Sequence, residues 1–140
     1  MNEKFKILAN FIKDMSSETP DVQSYLFVKE NISKYNLNIN ITSKPLKNRM
    51  IEVSTILKFE DKNLNEKRSN FEIVYISIIK IDESVKDKKE LEKIIICDLQ
   101  NKIYPKIEKI FLSLLDLSGF PGVKIEKKID FNKLYNERVN

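Results

Sequence analysis

Ser118-Gly119-Phe120-Pro121-Gly122-Val123-Lys124-Ile125, closing at Ile129-Asp130-Phe131-Asn132-Lys133-Leu134-Tyr135, is the stretch on which the reading of the fold turns. A long helical pattern stops where it begins. The chain then alternates apolar positions without a helical period. It resumes as a short amphipathic segment behind Asp130, a residue type that caps helix N-termini. Both glycines of the sequence, Gly119 and Gly122, sit in this one connection. The pattern predicts an ordered, lid-like crossover with an apolar underside.

The segment before it, Lys88 to Leu117, has apolar residues at helical spacing: Leu91, Ile94, Ile95, Leu99, Ile103, Ile107, Ile110, Phe111 and Leu114. Pro105 lacks a backbone donor, which predicts a kink or split near Asn101 to Tyr104. Ile94 to Ile96 and Leu112, Leu114 and Leu115 widen the stripe beyond what one sheet covers.

Further back the period changes to two. Phe5, Ile7, Ala9 and Phe11 alternate as a first strand. Asp14 to Pro20 breaks the pattern and predicts a non-regular crossover, with Tyr25-Leu26-Phe27-Val28 as an apolar cluster inside it. Tyr35, Leu37, Ile39 and Ile41 alternate with asparagines, the mark of a half-buried strand. Pro45 and Asn48 form a turn. Ile51 to Phe59 is a third strand, Asp61 to Ser69 a polar hairpin connection, and Phe71 to Ile81 a fourth strand. Consecutive strands with short connections predict an antiparallel meander. The fourth strand is apolar on both faces, since Val74, Ile76 and Ile78 oppose Phe71, Ile73, Tyr75 and Ile79. An antiparallel sheet usually keeps one face wet. The expected fold class is α+β: a four-stranded antiparallel sheet, a long Pro-kinked helix and a short C-terminal helix, in one domain spanning residues 1–140. The surplus apolar surface predicts self-association, binding of apolar segments, or both.

Composition removes several functions. Hydrophobic content of 41% and charged content of 33% suit a soluble domain. No apolar run reaches the ~20 residues of a membrane helix, so no direct membrane insertion is expected. The N-terminus lacks a signal-peptide pattern, and a single Cys97 among isoleucines reads as a buried thiol, so a cytoplasmic location is expected. Histidine is absent, which removes the commonest acid–base catalyst and metal ligand. Without a nucleotide fingerprint either, no enzyme activity, metal or cofactor is expected. The net charge is +4, but the only arginines are Arg49, Arg68 and Arg138, and the lysines are interleaved with 21 acids. No nucleic-acid partner is expected.

With these residues in view, the chain resembles the SecB family of protein-export chaperones. The resemblance rests on Phe11-Ile12-Lys13-Asp14-Met15-Ser16-Ser17-Glu18-Thr19-Pro20, on Tyr104-Pro105 before a charged–apolar helix, and on Gly119-Phe120-Pro121 followed by Asp130-Phe131 and Leu134-Tyr135. It covers roughly residues 5 to 137. It departs in charge: the family is typically acidic, this chain is basic, and the acidic tail of some members is missing.

What the resemblance implies is a homotetramer, a dimer of dimers. It would hold unfolded precursor proteins without nucleotide and deliver them to the SecA translocation motor. By position, Asp14, Glu18 and Glu72 match the acidic patch that meets the C-terminal tail of SecA. Tyr25, Phe27, Phe120, Val123, Ile125, Phe131 and Tyr135 would wall the groove for unfolded clients. The alternatives are a SecB-like chaperone dedicated to another client set, such as a toxin–antitoxin system, or a purely structural oligomer.

Overall fold

The computed structural model describes residues 3–61, 68–125 and 128–139. Strands β1 (Phe5–Glu18), β2 (Asn36–Pro45), β3 (Met50–Glu60) and β4 (Asn70–Ile81) form one antiparallel sheet in the order β1-β4-β3-β2. Three strands therefore meander as expected, but β1 does not extend the meander beside β2. It crosses to the far edge and pairs with β4. Most of the polar connection predicted over Asp61 to Ser69 lies outside the described residues.

The alternation of β3 and β4 decides which face is buried. Val53, Leu57, Ile73 and Ile79 have no exposed surface, and burying each such side chain contributes roughly 1.5–3 kcal/mol. These residues are opposite one another in the ladder, Ile51 with Ile79 and Leu57 with Ile73, so they share one face. Helix α3 (Leu99–Leu117) packs on that face. Gln100 Nε2 donates to Thr55 Oγ1 at 2.9 Å, and the rings of Phe59 and Phe111 meet edge-on at 5.9 Å. The other face carries Asn36, Asn38, Asn40, Lys58, Phe11 and Asp14, all exposed.

Four expectations need correction. First, the crossover is not irregular. Residues Val22–Asn31 form helix α1, capped by Asp21, whose carboxylate accepts from Ser24 N at 2.7 Å. Its pattern is too weakly amphipathic to read, because only Ser24 and Val28 are buried. Second, the strand pattern does not end at Asp14; β1 continues to Glu18 by pairing with Asn70 to Val74. Third, β1 has two register shifts, between Ile7 and Ala9 and between Ile12 and Asp14. Each inserts a residue without a partner, Leu8 and Lys13, and turns the following side chains over. Ala9 and Phe11 thus leave the buried face that Phe5 and Ile7 occupy.

Fourth, Pro105 sits inside α3 without splitting it. The irregularity comes earlier: α2 (Lys88–Lys93) leads into a π turn at Ile94–Asp98, closed by Leu99 N on Ile94 O, and then into α3. A wider turn presents more consecutive residues to the core, and Ile94, Ile95, Ile96 and Cys97 are all buried. The Gln100 side chain reaches Ile95 O at 3.5 Å, inside this turn. The width of the stripe here is filled from within the chain. Helix α4 (Phe131–Val139) lies against the turn, with the Phe131 ring on Tyr104 at 5.3 Å and Cys97 Sγ near Phe131 O at 3.4 Å. Towards the other end of α3, Ile110 and Leu114 stay half-buried and Leu117 is 86% exposed. Among the described residues, no helix is long and apolar enough to cross a membrane.

Candidate functional site

Helix α3 ends in a Schellman motif. Phe120 N bonds back to Leu115 O at 2.9 Å and Gly119 N to Asp116 O at 3.2 Å. The reversal requires a left-handed residue, and Gly119 supplies it at φ 95°. A Cβ there would come within 2.7 Å of Tyr25 Cε1. Tyr25 is close because its hydroxyl donates to Gly119 O at 2.7 Å and its ring packs on Phe120 at 5.1 Å. Phe120 in turn meets Phe71 edge-on at 5.6 Å, and Phe71, Phe59 and Tyr35 continue the contact across the sheet. An aromatic chain thus ties α1 and the start of the lid to the core.

Past this clasp the chain turns at Gly122, φ 77°, and runs toward α4. Asp130 caps α4, its carboxylate accepting from Lys133 N at 3.1 Å, and Arg138 near the far end bonds Ile41 O. Between the lid, α4 and the first half of β2 lies an open groove of about 1280 Å³. Its apolar walls are Leu37 and Ile39 of β2, Val123, Ile125 and Ile129 of the lid, and Leu134 of α4. Its rim carries Lys124, Lys128 and Lys133 beside Glu60, Asp130 and Glu137. The trough thus combines apolar walls with mixed charges.

The residues expected to line a client groove divide. Val123 and Ile125 stand in this groove, half-buried. Phe120 and Phe131 do not line it and are buried, 3% and 7% exposed. Tyr25 forms the clasp. Tyr135 is half-buried and donates to Lys89 O at 3.2 Å. Phe27 stands apart on α1, 47% exposed, with Leu26 and Val22 exposed on the same helix. The walls that sequence reasoning missed are Leu37, Ile39, Ile129 and Leu134. The β2 alternation carried the signal for the first two, but that alternation does not say what faces them.

The three carboxylates meet on the uncovered face. Glu72 is opposite Ser16, with Asp14 and Glu18 on either side of Ser16 along the same face of β1. Diagonal neighbours of this kind lie roughly 7–8 Å apart. Asp14 and Glu18 are exposed and Glu72 is half-buried. Lys58 of β3 faces Glu72 from the other side. Asp14 and Glu18 therefore project from strand β1, Asp14 directly after its second register shift, and not from a loop.

The proton affinities that shift most belong to the core. Burial pushes Tyr35 up to about 12, and its hydroxyl donates to Ser69 O at 2.6 Å. Burial also raises Tyr104 and Tyr75 and the Cys97 thiol. At the surface, Asp82 is lowered by hydrogen bonds from Ser84, and Lys4 is raised by its bond to Glu90.

A family model described as SecB, preprotein translocase subunit SecB, matches residues 1–140. The chain is 61% identical over 140 residues to the "Putative protein-export protein SecB" of Pelagibacter ubique (strain HTCC1062), covering all of both chains. It is 25% identical over 140 residues to the protein-export protein SecB of Bartonella bacilliformis, covering 99% of this chain and 86% of that one. Among solved structures, a Mycobacterium tuberculosis SecB-like chaperone in complex with an antitoxin peptide superposes with a TM-score of 0.66. The identity is 10%, and the match covers 90% of this chain and 88% of the other. That likeness shows the shared fold.

Proposed function

The chain belongs to the SecB family of protein-export chaperones, and from that premise we propose that it is a nucleotide-independent holdase of the cytoplasm. It assembles as a homotetramer, a dimer of dimers. It holds precursor proteins unfolded and passes them to the SecA motor, whose C-terminal tail meets Asp14, Glu18 and Glu72.

The observation that carries this reading is the apolar surface the chain leaves uncovered. The free edge strand β1 exposes Leu8, Phe11, Ile12 and Met15, at 46%, 47%, 42% and 45%, and α3 ends on the exposed Leu117. Exposed apolar side chains on both faces of an unpaired edge strand mark a partner contact. Edge pairing between copies covers part of it and satisfies the free strand. The groove at β2, on the opposite edge of the sheet, is left for clients. Val123 and Ile125 touch the client there. Phe27 extends the contact over α1. Tyr25, Phe120, Phe131 and Tyr135 hold the walls in place. Binding the unfolded state lowers its free concentration and so slows folding and aggregation by mass action. Many modest contacts along an extended client add up to useful avidity.

The test joins light-scattering mass to suppression of a model client's aggregation without nucleotide. The expected result is a mass near four times 16.5 kDa and suppression that Val123→Ser with Ile125→Ser weakens at unchanged mass. A monomeric mass, or a strict need for nucleotide, defeats the proposal. A purely structural oligomer assembles but fails to suppress aggregation.

A further inference from the structure

The core holds a buried amide that neither groove nor assembly uses. Gln100, the second residue of α3, has no exposed surface. Its Nε2 donates to Thr55 Oγ1 at 2.9 Å and reaches Ile95 O at 3.5 Å, while its Oε1 finds no partner among the described residues. Thr55 is fully buried on the inner face of β3. Ser77, opposite Val53 on that same face, is fully buried too, and its Oγ is likewise without a partner there. Burying an amide with one atom unpaired costs stability, and apolar side chains of the same shape avoid that cost. Stability therefore does not account for Gln100.

Its place in the fold does. The π turn at Ile94–Asp98 holds one residue more than an α turn. Successive helical residues are about 100° apart, so closing the turn to α rotates Ile94, Ile95 and Ile96 by about that angle relative to Gln100. Apolar contacts are non-directional, and isoleucines alone tolerate more than one phase. A hydrogen bond is directional. The bond to Thr55 fixes Gln100 to the sheet, and the contact with Ile95 O ties the turn to Gln100. Helix α4 rests on the result: Cys97 Sγ stands 3.4 Å from Phe131 O, and Leu134 of the same helix walls the groove. We propose that Gln100 is a positioning residue for the client groove. Through Thr55 and Ile95 it holds the π turn in register, and through the turn it sets where α4 places its wall. The proposal rests on the reading of the groove as the client site, and deepens it by naming a residue that acts on that site from the core without touching it.

The experiment compares the full parent chain, Thr55→Ser, and Gln100→Met combined with Thr55→Val, which keeps the shape of the core and removes both polar partners. Three quantities are read at one protein concentration: the urea midpoint, the rate at which a thiol reagent labels the sole cysteine, Cys97, in the native protein, and suppression of a model client's aggregation. Thr55→Ser keeps the hydroxyl and is expected to match the parent in all three. The double variant is expected to unfold at an equal or higher urea concentration. It should nonetheless label roughly tenfold faster through easier local opening, and suppress aggregation less. Parental labelling and suppression in the double variant overturn the proposal. So does a loss of suppression that only follows a lower urea midpoint, which marks Gln100 as a core residue and nothing more. Faster labelling with parental suppression shows that α4 shifts without consequence for clients, and overturns the proposal as well. A parent that itself fails to suppress aggregation overturns the groove reading, and the proposal with it.

Discussion

Gly119→Ala tests whether the α1 clasp is a structural element of the lid. The substitution acts twice. Alanine at φ 95° costs roughly 1–2 kcal/mol for the left-handed conformation. Its Cβ also lands 2.7 Å from Tyr25 Cε1, so the ring must leave. That removes the bond from the Tyr25 hydroxyl to Gly119 O, worth about 1 kcal/mol, and the packing of Tyr25 on Phe120, worth about 0.5–1.5 kcal/mol. The sum is about 3 kcal/mol, or a Tm lower by roughly 10 °C for a domain of this size. Gly122→Ala is the control. Its φ is 77°, but nothing lies within 4 Å of a Cβ placed there, so only the conformational cost of about 1 kcal/mol remains.

Thermal and urea unfolding of both variants at one fixed protein concentration, because assembly makes Tm concentration-dependent, measures the difference. A double variant completes the cycle: in a Tyr25→Ala background, Gly119→Ala should cost no more than Gly122→Ala does. Equal costs for the two glycine variants in the parent background, or no relief on removing Tyr25, would refute the clasp.

Three further outcomes are expected. Leu114→Asp places a charge on the half-buried flank of α3, and if that flank packs against another copy it lowers the light-scattering mass, since an unpaired buried charge costs several kcal/mol; an unchanged mass frees this flank from assembly. Cys97 is 2% exposed and burial raises its thiol, so a thiol reagent at neutral pH should label the folded protein far more slowly than the urea-unfolded chain, and fast native labelling contradicts the packing of α4 on the π turn. Tyr35 is held neutral by burial, its proton affinity moved from 10.0 up to about 12. A raised folded value gives stability that is complete below the unfolded value, so unfolding free energy should hold to about pH 10 and fall as the pH rises through 12; a Tyr35→Phe variant that loses stability over this window as steeply as the parent would contradict the assignment.

Much of the sheet was legible because its inner strands follow a period of two, with Ile76 of β4 the one buried residue out of step. Ile51 to Phe59 and Phe71 to Ile81 are buried at the alternate positions the pattern requires, and the second apolar face of β4 is present as expected. The lid was legible because both glycines and a capping Asp mark its ends. Helix α1 was not, since its stability comes from the Asp21 cap and from Tyr25 reaching Gly119, 94 residues away in sequence. The π turn was also hidden. Four consecutive apolar residues read as a wide stripe, and only packing against α4 and the sheet decides that the turn widens there instead of kinking at Pro105. The groove could be named only in part, because its β2 wall becomes a wall only when α4 folds over it.

Edge strand β1 shows most clearly where alternation stops being a guide. A regular strand from Phe5 puts Ala9 and Phe11 on the helix side and Ile12 outside. The unpaired residues Leu8 and Lys13 each turn the strand over. Between them Phe11 faces outward and Ile12 inward, and beyond Lys13 the original parity returns, so Asp14 faces outward too. Phe11 and Asp14 are three residues apart, an odd separation that places them on opposite faces of any regular strand. They share a face here only because one inserted residue lies between them. An edge strand tolerates the insertion because just one of its sides is committed to a ladder. The juxtaposition of Phe11 and Asp14 on the outer face is therefore a property of the β1–β4 register and not of the order of residue types in β1.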